Sequence, residues 1–176
     1  MIRSSLRKLV AWDNAAAVKI YHFKRSRILG VFMSIMALLG DGLIYPFYVL
    51  FIGLWDFQVF KRMWPAALVA VAIEKMLSLS LKNSIKRPRP YHKFEAIEYS
   101  AKPQDKYSFP SGHSGVTVLT AILFFAYFPP LAIPAFVFVV FNGYARIYHG
   151  VHFPGDVFAG MILGAVSAIL SLCIFL

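Results

Sequence analysis

Long apolar stretches alternate with short polar breaks along the chain, at intervals that match membrane-crossing helices. Apolar runs cover roughly 64–82, 112–128, 131–147 and 157–176, each close to the ~20 residues that an α-helix needs to cross a bilayer's hydrocarbon core. Spanning helices are predicted there, because a helix pairs its own backbone N–H and C=O groups where no water can do so. Residues 28–55 are also apolar, but Gly40-Asp41-Gly42 divides them into pieces that are short for a crossing. They form either one long helix with Asp41 inside it or a hairpin of two short helices. Ahead of them, Ile2, Leu6, Leu9 and Val10 fall at helical spacing among Arg3, Arg7, Lys8, Lys19, Lys24, Arg25 and Arg27, with Asp13 as the one acid. That pattern predicts an amphipathic helix on an anionic, cytoplasmic leaflet.

Charge selects between the two arrangements. A hairpin puts the basic N-terminal segment and Lys61/Arg62 on one side, as the excess of cations in cytoplasmic loops favours; a single helix puts them on opposite sides. Gly-Asp-Gly also suits a turn better than lipid. The expected architecture is therefore all-α: a six-helix transmembrane bundle with both termini cytoplasmic, made of an interfacial segment 1–27 and a membrane domain 28–176. In that topology Gly40–Gly42, the loop at about 83–110 and Arg146–Asp156 meet on the outer face. So long a loop inside a compact domain is usually functional.

Composition narrows the class further. With 59% hydrophobic and 15% charged residues and a mean hydropathy of +0.66, an ordinary soluble domain is excluded. The net charge of +10 is split between the N-terminus and the region of Lys82–Lys106, which indicates anionic lipid rather than nucleic acid as partner. Cys173 stands alone, so neither a disulfide framework nor a cysteine metal site can form within one chain. The basic N-terminus has no apolar core followed by small residues, and no cleaved signal peptide is expected.

Three stretches of the predicted outer face carry chemistry. In "KNSIKRPRP", Lys82 ends a span and Arg89 follows six intervening residues; a flexible ammonium and a planar guanidinium there suit phosphate oxygens. In "PSGH", Ser111 is a good N-cap, so Gly112 and His113 open a helix whose free N–H groups and positive dipole attract an anion. In "ARIYHGVHFPGD", Arg146 adds a cation, and Pro154 should end the preceding helix near His152 and start a new one with Asp156 in its first turn. A carboxylate there can take the proton of one imidazole nitrogen of His152 and leave the other as a lone-pair nucleophile. His149 has Phe153 rather than a carboxylate four residues on. A metal site of His149, His152 and Asp156 is disfavoured by Lys82, Arg89 and Arg146, which would crowd a cation with like charge. The set fits phosphoryl transfer without metal or other cofactor, by attack of one histidine and protonation of the leaving oxygen by another.

Those residues resemble the type 2 phosphatidic acid phosphatase superfamily, which also holds vanadium haloperoxidases and bacterial acid phosphatases. Its three signatures, Lys-x6-Arg-Pro, Pro-Ser-Gly-His and Ser-Arg-x5-His-x3-Asp, stand here at 82–90, 110–113 and 145–156, with Ala145 in place of the first serine of the third. The resemblance implies that His152 is the nucleophile, Asp156 its orienting acid and His113 the general acid and later base. Lys82, Arg89, Ser111, Gly112 and Arg146 would hold the phosphate. It also implies a bacterial inner-membrane enzyme acting at the outer face on a lipid phosphate: lipid A 1-phosphate, undecaprenyl diphosphate, phosphatidylglycerol phosphate or phosphatidic acid. Lys86, Arg87, Lys93, Lys102 and Lys106 lean the expectation toward a multiply charged headgroup. A non-enzymatic lipid-phosphate binder or transporter would use the cations without needing His152 and Asp156; no obligate protein partner is expected. Glu74 and Lys75, ionisable inside a span, stand outside this list.

Overall fold

The structure is a computed structural model that describes residues 2–23, 26–42, 44–99 and 105–176. Among these it is built of helices: α1 (Ile2–His22), α2 (Arg27–Leu39), α3 (Tyr45–Trp55), α4 (Phe57–Ile85), α5 (Pro90–Lys93), α6 (Gly112–Tyr127), α7 (Ala132–Tyr148) and α8 (Pro154–Phe175), with a 3-10 turn at Pro129–Leu131. Local chemistry sets the starts. Asp56 caps α4 by accepting from the N–H groups of Gln58 and Val59, Ser26 caps α2 through Leu29 N, and Ser111 caps α6. Pro154 opens α8 where its missing N–H costs nothing.

The bundle is held by small residues rather than by a large apolar core. Helices α6 and α8 cross so closely that a Cβ at Gly160 would lie 2.2 Å from the Ser111 carbonyl oxygen, and one at Gly164 would lie 2.0 Å from that of Gly115. This close approach, with glycines four apart, is how helices gain packing where lipid removes the hydrophobic drive. Large apolar side chains instead face outward, among them Leu68, Met76, Leu79, Ile133, Ile162 and Ile169, as expected of a surface solvated by acyl chains. Phe57–Lys93, Pro129–Tyr148 and Pro154–Phe175 are each long and apolar enough to cross a membrane. The protein is an all-α, polytopic membrane protein.

Residues 28–55, at the start of the membrane domain, depart from the hairpin. Tyr148, at the end of α7 that leads to His152, lies beside Gly30, and deeper in α7 Asn142 donates to the carbonyl of Met36 at 2.7 Å. So α2 descends from the His152 end of the bundle. Its continuation α3 keeps going down: the Tyr48 hydroxyl donates to Leu39 O, and Ile52 joins Val59, Met63 and Leu123 in the cluster at the far end. Helices of 13 and 11 residues span only ~20 and ~17 Å separately, but placed end to end they cross. They make one broken crossing, and with α4, α6, α7 and α8 the count is five rather than six. Gly40–Gly42 is thus a break within the bilayer, tolerable because Gly40 is buried against Asn142 and the segment opens on a cavity.

Helix α1 lies at the His152 end, where Asp13 accepts from Gly155 N at 2.7 Å. The termini are therefore at opposite ends, and both cannot be cytoplasmic. Among the described residues, Lys8 and Lys19 of α1 stay at the His152 end while Lys61 and Arg62 lie at the far end, so the sidedness inferred from a shared basic face goes with the hairpin. Loop charges counted along the sequence do not reveal this, because α1 folds back onto the His152 end of the bundle.

Candidate active site

Three segments converge at the end of the bundle where α4 and α7 finish and α6 and α8 begin. The turn before α8 carries His152, buried to 3% exposure. Its Nδ1 lies 2.8 Å from the Ser108 carbonyl and its Nε2 3.3 Å from Arg89 Nη1. A carbonyl can only accept, so Nδ1 carries the proton, and Nε2 keeps a lone pair that faces a guanidinium. Burial pushes the imidazolium down to about 4, and Arg89 adds in the same direction against the opposing Asp156, so the ring is neutral at neutral pH.

Asp156 does not take the position expected of it. Its Oδ2 is 3.8 Å from His152 Nδ1 and accepts instead from Phe153 N at 2.9 Å, while its Oδ1 receives Arg87 Nη1 at 2.7 Å. Asp156 thus folds the turn that presents His152, and the hydrogen bond that fixes the ring comes from Ser108. Spacing hid this because Ser108 uses a backbone oxygen, which has no sequence signature. Asp156 also links the segments, since its carbonyl accepts from Ser111 N at 2.9 Å.

The cations are buried with directed bonds. Arg89 donates from Nε to Asp105 O at 3.0 Å and from Nη1 to Val151 O at 2.9 Å. Lys82 is paired with the Asp105 carboxylate. Burial alone would raise the pKa of that carboxyl, but the Lys82 ammonium, helped by Arg89, more than offsets it and holds the group below its usual range. Arg146 donates from Nη2 to Ala37 O at 2.7 Å, and its buried Nε makes no hydrogen bond among the described residues. Ala145, at the position of the missing serine, packs against Met33 and Tyr148, so its side chain is turned toward α2.

Ser111 Oγ accepts from Ser114 N and is 2.9 Å from Ser114 Oγ, which commits it first to capping α6. Gly112 and His113 open on a cavity of about 730 Å³ between α3, α4 and α6, together with Lys75, Lys82 and Asp105. Its remaining walls are largely apolar, including Trp64, Leu68, Val71 and Leu119. Lys75 does share the face of Lys82, as their separation of seven residues suggests. Glu74 is fully buried at the crossing with α6 and α8, its Oε2 3.7 Å from Lys75 Nζ.

Of the extra loop cations, Arg87 is not available to a headgroup: its fork joins Asp156 to Asp13 at 2.6 Å and its plane lies 3.9 Å from the Phe153 ring centroid. Lys93 donates to Asn14 at 3.1 Å. Lys102, with Lys24 and Arg25 of the N-terminal segment, lies outside the described residues. His149, Tyr148's neighbour, takes no part in a group of three His, Cys, Asp or Glu suited to a metal, and none occurs among the described residues. Sequence reading missed Ser108, Asp105 and Asp13. Asp13 alone left a signal, as the one acid in a basic segment and on its apolar stripe.

A buried histidine whose Nε2 faces Arg89, with Lys82 and a helix N-terminus nearby, marks the candidate site of this membrane-embedded helical bundle. Residues 64–176 match the PAP2 superfamily, and the chain belongs to it. It is 31% identical over 109 residues to the lipid A 1-phosphatase of Rhizobium johnstonii, covering 60% of this chain and 45% of that one. It is 33% identical over 105 residues to the decaprenylphosphoryl-5-phosphoribose phosphatase of Mycobacterium tuberculosis, covering 60% and 57%. The chain thus spans about half the length of the curated relatives it matches. The crystal structure of Aquifex aeolicus LpxE superposes with a TM-score of 0.77 at 29% identity over 89% of this chain and 92% of that one. A transmembrane PAP2-type phosphatidylglycerolphosphate phosphatase from Bacillus subtilis shares the fold with a TM-score of 0.73 at 24% identity, over 95% and 86%.

Proposed function

We propose that the protein is a lipid phosphatase of a bacterial inner membrane, hydrolysing a phosphomonoester or diphosphate through a phosphohistidine without a metal ion. The observation that carries this reading is His152, whose Nδ1–H is spent on Ser108 and whose Nε2 lone pair points at the cation that would hold the phosphate. Nε2 attacks phosphorus, the P–O bond to the lipid breaks, and His113 gives its proton to the leaving oxygen. Water then attacks the phosphohistidine, returning a proton to His113, and the P–N bond breaks to release inorganic phosphate. Lys82, Arg89, Arg146 and the N–H groups of Gly112 and His113 neutralise the charge that builds on the phosphoryl oxygens. The Asp105 carboxylate stands on Lys82 as a phosphate oxygen would, and substrate displaces it.

The cavity supports a lipid substrate, because a charged end at Lys75, Lys82 and His113 continues into apolar walls. Lipid A 1-phosphate and lipid diphosphates remain the favoured substrates, with phosphatidylglycerol phosphate and phosphatidic acid as the other members of the test panel. Both favoured classes carry a second anionic group, which Lys75 on the cavity wall would meet.

Detergent-purified protein is expected to release inorganic phosphate from one or more of these lipids in the presence of chelator, with inhibition by vanadate. His152→Ala is expected to lower the rate at least ~1,000-fold, the scale of losing a covalent nucleophile, and His149→Ala to keep much of it. Equal loss in both variants would refute the assignment, and binding without turnover would establish the non-enzymatic binder instead.

A further inference from the structure

Helix α1 is docked for only half its length. Asp13, Ala17 and Tyr21, four apart, are buried against the bundle, whereas residues 4–12 are exposed all round. The exposed half nevertheless shows Leu6, Leu9 and Val10 on the same helical stripe that continues into Asp13, Ala17 and Tyr21. Leu6 and Leu9 are 60% and 63% exposed and Trp12 is 64%. Since the docked part of the stripe looks down onto α7 and α8, the free part looks down beyond the bundle's rim, where the leaflet lies. Lys8 and Lys19 fall on the opposite face and Arg7 on the flank, the arrangement of a helix lying in an anionic interface.

The boundary between the exposed and docked halves is Asp13. Its Oδ1 accepts from Gly155 N at 2.7 Å, and its Oδ2 takes Arg87 Nη2 at 2.6 Å. The other nitrogen of the same fork holds Asp156, whose second oxygen caps Phe153, the residue after His152. The turn that aims the nucleophile is therefore clamped twice by a side chain of the helix that exposes Leu6, Leu9 and Val10.

Building on the phosphatase reading, we propose that α1 is an anionic-leaflet docking arm and that Asp13 is a positioning residue: seating the arm fixes the 153–156 turn and hence His152. The docking and the clamp lie on one rigid helix, so order imposed on Leu6–Val10 by the leaflet is imposed on Asp13 three residues later. The proposed occupant of the free face is the anionic surface of the protein's own membrane.

The test uses full-length protein in nanodiscs of phosphatidylcholine alone or with phosphatidylglycerol, with hydrogen exchange of the amides of 152–157 and turnover of para-nitrophenyl phosphate as readouts. In wild type, anionic lipid is expected to slow exchange of the turn about tenfold and raise turnover about threefold. Asp13→Asn and the double variant Leu6→Ser/Leu9→Ser are each expected to bring both ratios close to one, and Asp13→Glu to restore part of them. A ratio between two lipids does not depend on the fraction of molecules folded, so general destabilisation does not mimic the result. Fluorescence of a tryptophan placed at Leu9, in a Trp12→Phe/Trp55→Phe/Trp64→Phe background, is expected to shift to the blue with anionic lipid even in Asp13→Asn, separating seating from its transmission. Exchange that is blind to lipid charge in wild type, or an Asp13→Asn variant that keeps the wild-type ratio, overturns the proposal. Lipid-dependent protection of the turn in a protein that hydrolyses no phosphate ester would leave it standing while refuting the phosphatase.

Discussion

At the scale of the residue, the site separates holding from aiming. Arg89 holds and also aims, since one nitrogen is shared between Val151 O and His152 Nε2. With the His152 imidazolium pushed down to about 4 by burial, the nucleophile stays unprotonated far below the usual histidine range of about 6.5. The acid limb of kcat/KM, once ionisation of the substrate phosphate is divided out, is expected to inflect near pH 4, and an inflection near 6.5 would mean a solvated ring. The same shift acts on stability. Between about 6.5 and 4 the unfolded chain binds a proton that the folded one refuses, so His152 costs stability as pH falls through that window. Asp105, held ionised by Lys82, keeps its pair with that lysine into acid.

At the scale of the element, α8 is the organiser. Its first turn receives Asp13, Arg87 and Ser111 N, and its next two turns pass under α6 at Gly160 and Gly164. A methyl group at Gly164 would lie 2.0 Å from a backbone oxygen, which cannot rotate away as a side chain can. Gly164→Ala is therefore expected to destabilise by at least ~1–3 kcal/mol, the usual cost of overpacking, seen as a lower thermal midpoint in detergent. Activity should fall with it, because α6 carries His113. An unchanged midpoint would show that the helices separate more readily than this crossing suggests.

At the scale of the molecule, the broken α2–α3 crossing decides the topology. With Cys173 replaced by alanine, a cysteine at Trp12 and one at Phe57 are expected to react with a membrane-impermeant thiol reagent from opposite sides, and cysteines at Trp12 and Glu98 from the same side. A hairpin would put Trp12 and Phe57 together. The break also exposes one end of the large cavity to Asp41 and Tyr45, so the irregular backbone lines the space where substrate is proposed to lie. That is the setting in which a membrane tolerates unpaired peptide groups.

The sequence by itself determined what depends on neighbours along the chain. The hydrocarbon length of the later spans, the cap at Ser111, the start of α8 at Pro154 and the spacing of Lys82, Arg89, His113, Arg146 and His152 all follow from residues within a few turns of each other. Tertiary structure alone decided what depends on distant groups or on backbone atoms. Ser108 rather than Asp156 fixes the His152 ring, because a carbonyl has no residue code. Asp13 reaches Arg87 across 74 positions, and no local pattern predicts which acid will meet a buried cation. The sense of the Gly40–Gly42 break was likewise out of reach, since a Gly-Asp-Gly turn and a buried interruption read alike until Asn142 and Arg146 of α7 are seen to hold the end of α2.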